Sequence, residues 1–445
     1  MKAGGKATRD VDWPGDLLAP VSALPEHSRL WVAFSGGLDS TLLLHVASAC
    51  HSDVTALHIN HQLQPNHEQT EQFCRDACAH LGVPLIVEKV ELAVAGTGGL
   101  EEAARSARYQ VFKTCLGDND LLLMAHHADD QAETVLFRLL RGSGVNGLAG
   151  MPRSRPLGRG RLFRPWLEID RARLEVVAEA SGLNWVEDPS NSSQVFDRNY
   201  LRHAVLPGVK DRWPGLLKRI AYSAGACNES EKLNRRLAEL QWQTCSDDGL
   251  LILESFRLLS ALEQRNLVRW WIAGLGWPVP ALSDWGQALS DLLNAGDDRE
   301  PEIRGDGFCL RRYRGHLYLV PNVKAPESSD DLLPGREMKW GSWRLQLVEA
   351  PSSATSKKPP SPIRVSTRRG GERVRLAAGE HSRALKTWLQ EQGVPPWERA
   401  VLPLVYRQEQ GVEELIAIGT LWCSEQYSGS APASGWRLIV ERDCD

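Results

Sequence analysis

Seven residues, Ser35-Gly36-Gly37-Leu38-Asp39-Ser40-Thr41, gather hydroxyls, a flexible backbone and one carboxylate in a single turn. Two glycines let a backbone approach an anion, and Ser35, Ser40 and Thr41 add hydroxyl donors where the free N–H groups of a helix start already point. The loop therefore reads as a phosphate cradle, with Ala33 at the strand end just before it. Asp39 cannot hold phosphate. A carboxylate in that position is explained by a divalent cation, Mg²⁺, bridging it to phosphate oxygens. The plainer alternative is an ordinary strand-to-helix turn capped by Asp39 and Ser40. No Gly-Lys-Ser/Thr ends the loop, so it is not the Walker type.

A second constellation is His126-His127-Ala128-Asp129-Asp130-Gln131-Ala132-Glu133-Thr134. Asp129 or Asp130 can cap the helix that follows, and Asp130 and Glu133, three apart, point into the same space. Adjacent carboxylates repel unless a positive group lies between them. A Mg²⁺ ion or an amino group of a substrate would serve; a capped, solvated acidic turn is the alternative.

Both motifs need elements to hold them. Leu30-Trp31-Val32-Ala33-Phe34 is a run buried on both faces, and Leu42 to Ala47 is helical. Val54 to Asn60 reads as a second strand, a helix carrying Cys74, Cys78 and Leu81 stops at Gly82 and Pro84, and Leu85 to Val90 is a third strand. Strands alternating with helices imply βαβ units and a parallel sheet, whose ligands bind at the carboxyl ends of the strands. Asn60 falls there, as does the His126-His127 pair that follows the strand Leu121 to Ala125. A helix from Leu100 brings Arg108 within reach of a nucleotide, or presents a solvated, ion-paired face through Glu101, Arg105 and Tyr109.

Arg153, Arg155, Arg159, Arg161 and Arg164 lie in a Pro- and Gly-interrupted segment with no acid between them, which suits a phosphate backbone; a merely solvated basic loop is the alternative. A helix from Asp170 to Ala180, polar loops at Asn184 to Asn191, and a short helix opened by Arg198-Asn199-Tyr200-Leu201-Arg202 and ending before Pro207 complete this part. From Trp213 to about Asn322 apolar-periodic helices take over, with a closing hairpin at Phe308-Cys309-Leu310 and Leu317-Tyr318-Leu319. A linker follows around Pro326 to Pro334. The last segment reads as strands at Trp343 to Leu347 and Ile363 to Val365, a Ser/Lys/Pro-rich loop at Ser352 to Pro362, and one helix at His381 to Gln390. The expected domains are thus 1–212, an α/β nucleotide-binding domain; 213–325, helical; and 335–445, α+β.

The formal net charge of -4 excludes a chain coated in basic residues, so any nucleic-acid surface must be local. Such a surface exists between Arg364 and Lys386, where Arg368, Arg369, Arg373, Arg375 and Arg383 meet only Glu372 and Glu380. The nine cysteines form no C-x-x-C pair, which makes a cysteine metal site improbable. Neither a signal peptide nor a run of some eighteen apolar residues is present, and the expectation is a cytoplasmic protein with no membrane partner.

Ser35-Gly-Gly-Leu-Asp-Ser40 resembles the pyrophosphatase loop of the ATP-pyrophosphatase family. Taken with His126 to Thr134, Glu187-Asp-Pro-Ser-Asn191, Arg198-Asn199, Arg368-Arg-Gly-Gly-Glu-Arg373, Leu385-Lys386 and Val394-Pro-Pro-Trp-Glu-Arg399, the chain is similar to the bacterial tRNA(Ile)-lysidine synthetases over nearly its whole length. The resemblance implies ATP as the nucleotide, adenylation of the C2 oxygen of the wobble cytidine in a tRNA(Ile) with a CAU anticodon, and its replacement by the ε-amine of free L-lysine. It also implies that Asp130 and Glu133 hold the lysine, that His127 contacts the nucleotide or the base, and that Arg198, Asn199, Arg202, Arg368, Arg369, Arg373, Lys386 and Arg399 meet tRNA. The helical domain is left with two readings, an RNA surface or a homodimer contact. A tRNA-thiolating enzyme of the same fold would carry cysteine pairs that this sequence lacks. An amidotransferase-type synthetase would need a glutaminase nucleophile, and a tRNA-binding module with a vestigial nucleotide site would not need intact glycines and carboxylates.

Overall fold

The computed structural model describes residues 11–62, 66–90, 99–187, 197–350, 362–376, 381–409 and 412–442, apart from 281, 283, 297, 298, 300, 325, 327, 328, 430, 431 and 433, and for 99–102 the backbone alone. The motif positions 188–191 and the loop at 352–361 lie outside the described residues. Two compact units emerge, Met1–Arg236 and Leu237–Asp445.

In the first unit, Leu30–Ala33 (β1), Val54–Asn60 (β2), Leu85–Lys89 (β3), Leu121–Leu123 (β4), Ser154–Leu157 (β5) and Gly160–Phe163 (β6) form one sheet in the order β3-β2-β1-β4-β6-β5. All neighbours run parallel except β5 against β6. Side chains alternate across this sheet, as strand geometry requires. Leu30 and Val32 enter one apolar cluster with Leu43 and Val46, while Trp31 enters the opposite cluster with Phe112, Leu116 and Leu122. Both faces are therefore buried, which is why these strands read as unbroken apolar runs.

The helices are Gly15–Ser22 (α1), Leu38–Cys50 (α2), His67–Leu81 (α3), Gly99–Cys115 (α4), Ala128–Leu140 (α5), Val145–Leu148 (α6), Arg171–Ala180 (α7), Asp197–Tyr200 (α8), Leu206–Arg212 (α9) and Leu216–Cys245 (α10). Winding reverses between β1 and β4, which pair Leu30 with Leu121 and Val32 with Leu123. The loops leaving those two strands carry Ser35 to Ser40 and His126 to Asp130. Reversal of strand order opens the crevice in which such sheets bind ligands.

Three local expectations change. Arg153 to Arg164 is a β-hairpin rather than a loop, because Leu157, Leu162 and Phe163 are buried and Gly158 turns the chain at φ 58. The segment after Arg198 does not stop before Pro207: α8 passes through a π-helical stretch, Leu201–Val205, into α9, whose first turn contains the proline and so loses no hydrogen bond. The stretch from 213 is not purely helical either, since Ser246–Asp247, Leu250–Ile252, Glu302–Arg304, Phe308–Tyr313 and His316–Pro321 form a five-stranded antiparallel sheet. Asp248 and Gly249, both at positive φ, make its first hairpin, and Arg314-Gly315 turns the expected one.

The second unit also holds the strands Trp343–Glu349, Ile363–Ser366, Leu404–Glu409, Val412–Ile418 and Trp436–Arg442. Its helix starts at Leu385 rather than His381, because Arg383–Ala384 pairs with Arg373–Val374. A further short helix, Pro396–Val401, uses Pro396 in its first turn.

Candidate active site

Gly36 takes φ 84, a left-handed conformation that glycine adopts without penalty. A Cβ there would lie 3.2 Å from Cys74 Sγ and 3.3 Å from the Thr70 methyl. Gly37 caps α2 with no side chain in the way. Ser35 and Ser40 bring their Oγ atoms within 2.9 Å of each other, and the Ser35 N–H donates to Ser40 Oγ at 3.2 Å. The Val186 N–H bonds Gly36 O at 2.9 Å, so the segment just before Glu187 braces the loop.

Asp39, in the first turn of α2, faces His127. Its Oδ2 lies 3.7 Å from His127 Nε2, and its Oδ1 is buried without a partner. Burial raises its carboxyl above the ordinary range. A buried carboxylate oxygen with no donor, beside hydroxyls and helix N–H groups that suit phosphate, is a hard-oxygen donor set of the kind Mg²⁺ takes.

The N-cap of α5 is His127 rather than an aspartate, and Asp130 completes the cap from the third helical position. His127 Nδ1 accepts from the Asp130 N–H at 3.3 Å, while the His127 N–H donates to Asp130 Oδ2 at 3.1 Å. An accepting Nδ1 places the proton on Nε2, which lies 3.4 Å from Asp130 Oδ2 as well as facing Asp39. The imidazole is only 2 % exposed and joins the two carboxylates. Asp129 serves elsewhere, accepting the Arg171 N–H at 2.9 Å and pairing with Lys210.

Asp130 and Glu133 do share a space, and guanidinium groups fill it. Arg202 Nε donates to Glu133 Oε1 at 2.6 Å and its terminal nitrogen to Glu133 Oε2 at 2.9 Å and Asp130 Oδ1 at 3.1 Å. Arg198 Nε adds a bond to Glu133 Oε2 at 3.1 Å. Burial alone would raise Asp130; His127, His126 and the two arginines outweigh it and push the carboxyl down to about 2. Arg198 and Arg202, expected on tRNA, thus face the carboxylates.

Other sequence candidates are placed as follows. Asn60 is buried; its amide N–H donates to Glu71 Oε2 at 2.9 Å and its Oδ1 accepts from the Gln62 N–H at 2.9 Å. Arg108 Nε bonds His61 Nε2 at 3.3 Å. Ala33 ends β1, Thr41 is buried with its hydroxyl unpartnered, and Leu38 packs against the core. In the second unit Arg368 lies 3.8 Å from Glu372, Arg369 3.5 Å from Glu413, and Arg373 Nε donates to Ser382 Oγ at 2.8 Å. Lys386 is exposed. Arg399 is 8 % exposed and donates to Val394 O and, at 3.1 Å, to the Tyr313 hydroxyl. Reading by motif missed Lys210 and the pair Arg164–His126, bonded at 3.2 Å; their partners lie far off in sequence.

A doubly wound sheet with a glycine–hydroxyl loop and an acid-bearing loop at its switch point defines a PP-loop nucleotide-binding unit, and the family described as PP-loop domain matches residues 15–209. Such a domain uses ATP. The TilS substrate binding domain matches residues 251–318 and the TilS substrate C-terminal domain residues 363–440. Among relatives, the tRNA(Ile)-lysidine synthase of Alkalilimnicola ehrlichii is 40% identical, covering 96% of this chain and 97% of its own, and that of Pseudomonas aeruginosa 41% identical, covering 95% of each. The tRNA(Ile)-lysidine synthase of Coxiella burnetii is 35% identical over 96% of both chains. The chain belongs to the tRNA(Ile)-lysidine synthase family. No helix among the described residues is long and apolar enough to cross a membrane.

Proposed function

We propose that this chain uses ATP to adenylate the C2 oxygen of the wobble cytidine in a tRNA(Ile) with a CAU anticodon, and joins the ε-amine of free L-lysine at C2 to form lysidine, releasing AMP and pyrophosphate. One observation carries it: Asp39, His127, Asp130 and Glu133 form a continuous line from the phosphate loop to a buried carboxylate pair that Arg202 bridges. Activation and amine transfer need those two sites side by side, since the adenylate must be attacked where it forms.

Ser35, Ser40 and the N–H groups that open α2 bind the phosphates and take up charge on the departing pyrophosphate. Asp39 and the phosphate oxygens would hold Mg²⁺, which supplies charge neutralisation between phosphates. His127 keeps Asp39 and Asp130 in fixed orientation. Asp130 and Glu133 bind the lysine ammonium; Asp130, held so low, is a counter-ion and a poor base. Both oxygens of Glu133 are already bonded and the residue is 1 % exposed, so an ammonium enters by exchange with a guanidinium.

Buried thiols argue against sulfur chemistry. Burial drives the Cys74 thiol up and pushes that of Cys78 up to about 12, the opposite of what a nucleophile needs. Purified chain, ATP, Mg²⁺, radiolabelled lysine and a tRNA(Ile) transcript with CAU should give lysine-labelled tRNA and one AMP per lysine. ATP cleavage with no label in the RNA overturns the proposal.

A further inference from the structure

We infer that Arg105, Arg155 and Arg164, gathered around Tyr109, form a phosphate-binding site on the rim of the catalytic unit that takes the phosphodiester backbone of the RNA beside the reacting base. This rests on the proposed RNA substrate. Two guanidinium groups lie over the Tyr109 ring, Arg105 at 5.1 Å and Arg155 at 4.9 Å from its centroid, and Arg105 also donates to the phenol oxygen at 3.4 Å. Arg164, 2 % exposed, is fixed by bonds to His126 Nδ1 at 3.2 Å and Pro152 O at 2.7 Å.

Three guanidiniums converge from α4, β5 and the end of β6, and among the described residues no carboxylate pairs with any of them. Two neighbours on the same hairpin differ: Arg153 lies 3.7 Å from Glu168, and Arg159 3.6 Å from Asp118. Like charges crowded on an aromatic ring repel, and cation–π contact of about 0.5–1 kcal/mol each is weak compensation at an exposed site. An anion removes that repulsion. Burial alone would raise the Tyr109 phenol, yet Arg105, Arg164 and Arg155 hold it below its ordinary range, a mark of the positive field at this spot.

A polyanion fits better than a single carboxylate. Arg105 is exposed and Arg155 half-buried, so the cluster opens outward. It also adjoins the Asp130–Glu133 carboxylate pair through His126, which bonds Arg164 and precedes the α5 cap; there a strand whose base enters the crevice would leave its phosphates at the rim. Planar guanidinium groups suit phosphate oxygens in pairs.

The full chain with Arg105→Gln and Arg155→Gln together tests this, with binding of a tRNA(Ile) transcript measured across salt concentrations. Losing two phosphate contacts to a single strand should flatten the log–log salt slope by about 1.4, at about 0.7 per contact. ATP affinity should stay at the wild-type value. An unchanged slope overturns the inference; an unchanged slope with a raised lysine requirement reassigns the arginines to the carboxylate of the amino acid. Arg155→Lys keeps the charge and should keep the slope. A slope flattened by about 0.7 in Arg155→Lys, as if the contact itself were gone, means that the fold, not the charge, was lost, and also overturns it. Binding is read without lysine or turnover, so a chain that bound RNA this way yet made no lysidine would sink the proposed function and leave this site standing.

Discussion

Asp39 sets stability against function. Burial raises its carboxyl above the ordinary range, so folding disfavours the charged form. The stability it contributes is present below its unfolded pKa and is lost as pH rises through the raised folded value. Asp39→Asn should therefore raise the thermal midpoint at pH 7, measured without metal, while cutting ATP-dependent AMP formation by about 10²-fold or more. A lowered midpoint with normal turnover would remove both the strain and the metal role. Asp130 behaves in the opposite sense: its carboxyl is depressed to about 2, so its contribution is complete above the unfolded pKa and disappears as pH falls toward that value. Glu133 is the deepest of the set, bonded by two arginines that are themselves about a quarter exposed. Glu133→Gln leaves those guanidiniums short of a counter-charge and should cost about 3 kcal/mol in denaturant unfolding, the low end for a broken buried pair. In turnover it should raise the lysine requirement about tenfold or more, the worth of one hydrogen bond to a charged group, and leave the ATP requirement nearly unchanged. Equal effects on both substrates would detach Glu133 from the amine.

Loops at strand ends, more than helices, decide what this chain can do, and they were also the most legible parts of it. The pair Gly36-Gly37 after five apolar residues announced a backbone that must come close to something, and Gly36 does need its positive φ and its missing Cβ. Gly36→Ala should cost about 1–2 kcal/mol for the left-handed conformation, with further crowding against Cys74 and Thr70, and should weaken ATP binding more than lysine binding. Normal ATP affinity in a stable variant would mean the loop does not need to approach its ligand. The spacing of Asp130 and Glu133 was legible for the same kind of reason, a helix face being fixed by counting. What counting cannot reach is partnership across long separations. Arg202 is 69 residues from Glu133 in sequence and Arg164 is 38 from His126, so no window of local pattern joins them. The hairpin at β5 and β6 was hidden because arginines dominate it while Leu157, Leu162 and Phe163 alone carry the burial. In the sheet at 246–321 the Phe308–Tyr313 and His316–Pro321 hairpin was legible, but its outer strands were not: two or three residues flanking an Asp-Gly turn, and three more at Glu302–Arg304, leave too short a period to see.

At the scale of the whole chain, charge is a matter of place. A net charge of -4 coexists with arginine-rich patches in both units, and the same residue type does unlike work in each. In the second unit, Arg399 lies inside a knot of rings: Trp397 packs 5.9 Å from Tyr313 and 5.4 Å from Tyr318, with Arg311 over it at 5.4 Å. This docks the Pro396–Val401 helix onto the Phe308–Tyr313 and His316–Pro321 hairpin. Lys386, one helix away, is open to solvent. The two cations should therefore separate under mutation. Arg399→Leu removes bonds to Val394 O and the Tyr313 hydroxyl, leaves both acceptors short of a donor, and should lower the stability of the second unit by about 2 kcal/mol with no change in the salt slope of RNA binding. Lys386→Gln should leave stability within about 0.5 kcal/mol, as surface changes do, and flatten that slope by about 0.7 if it meets a phosphate of an unpaired strand. Denaturant unfolding and salt-dependent tRNA binding, run on the same two variants, read these independently. A slope lost with Arg399 and kept with Lys386 would mean that the aromatic knot opens when RNA binds and that the buried arginine is the one that meets the phosphate.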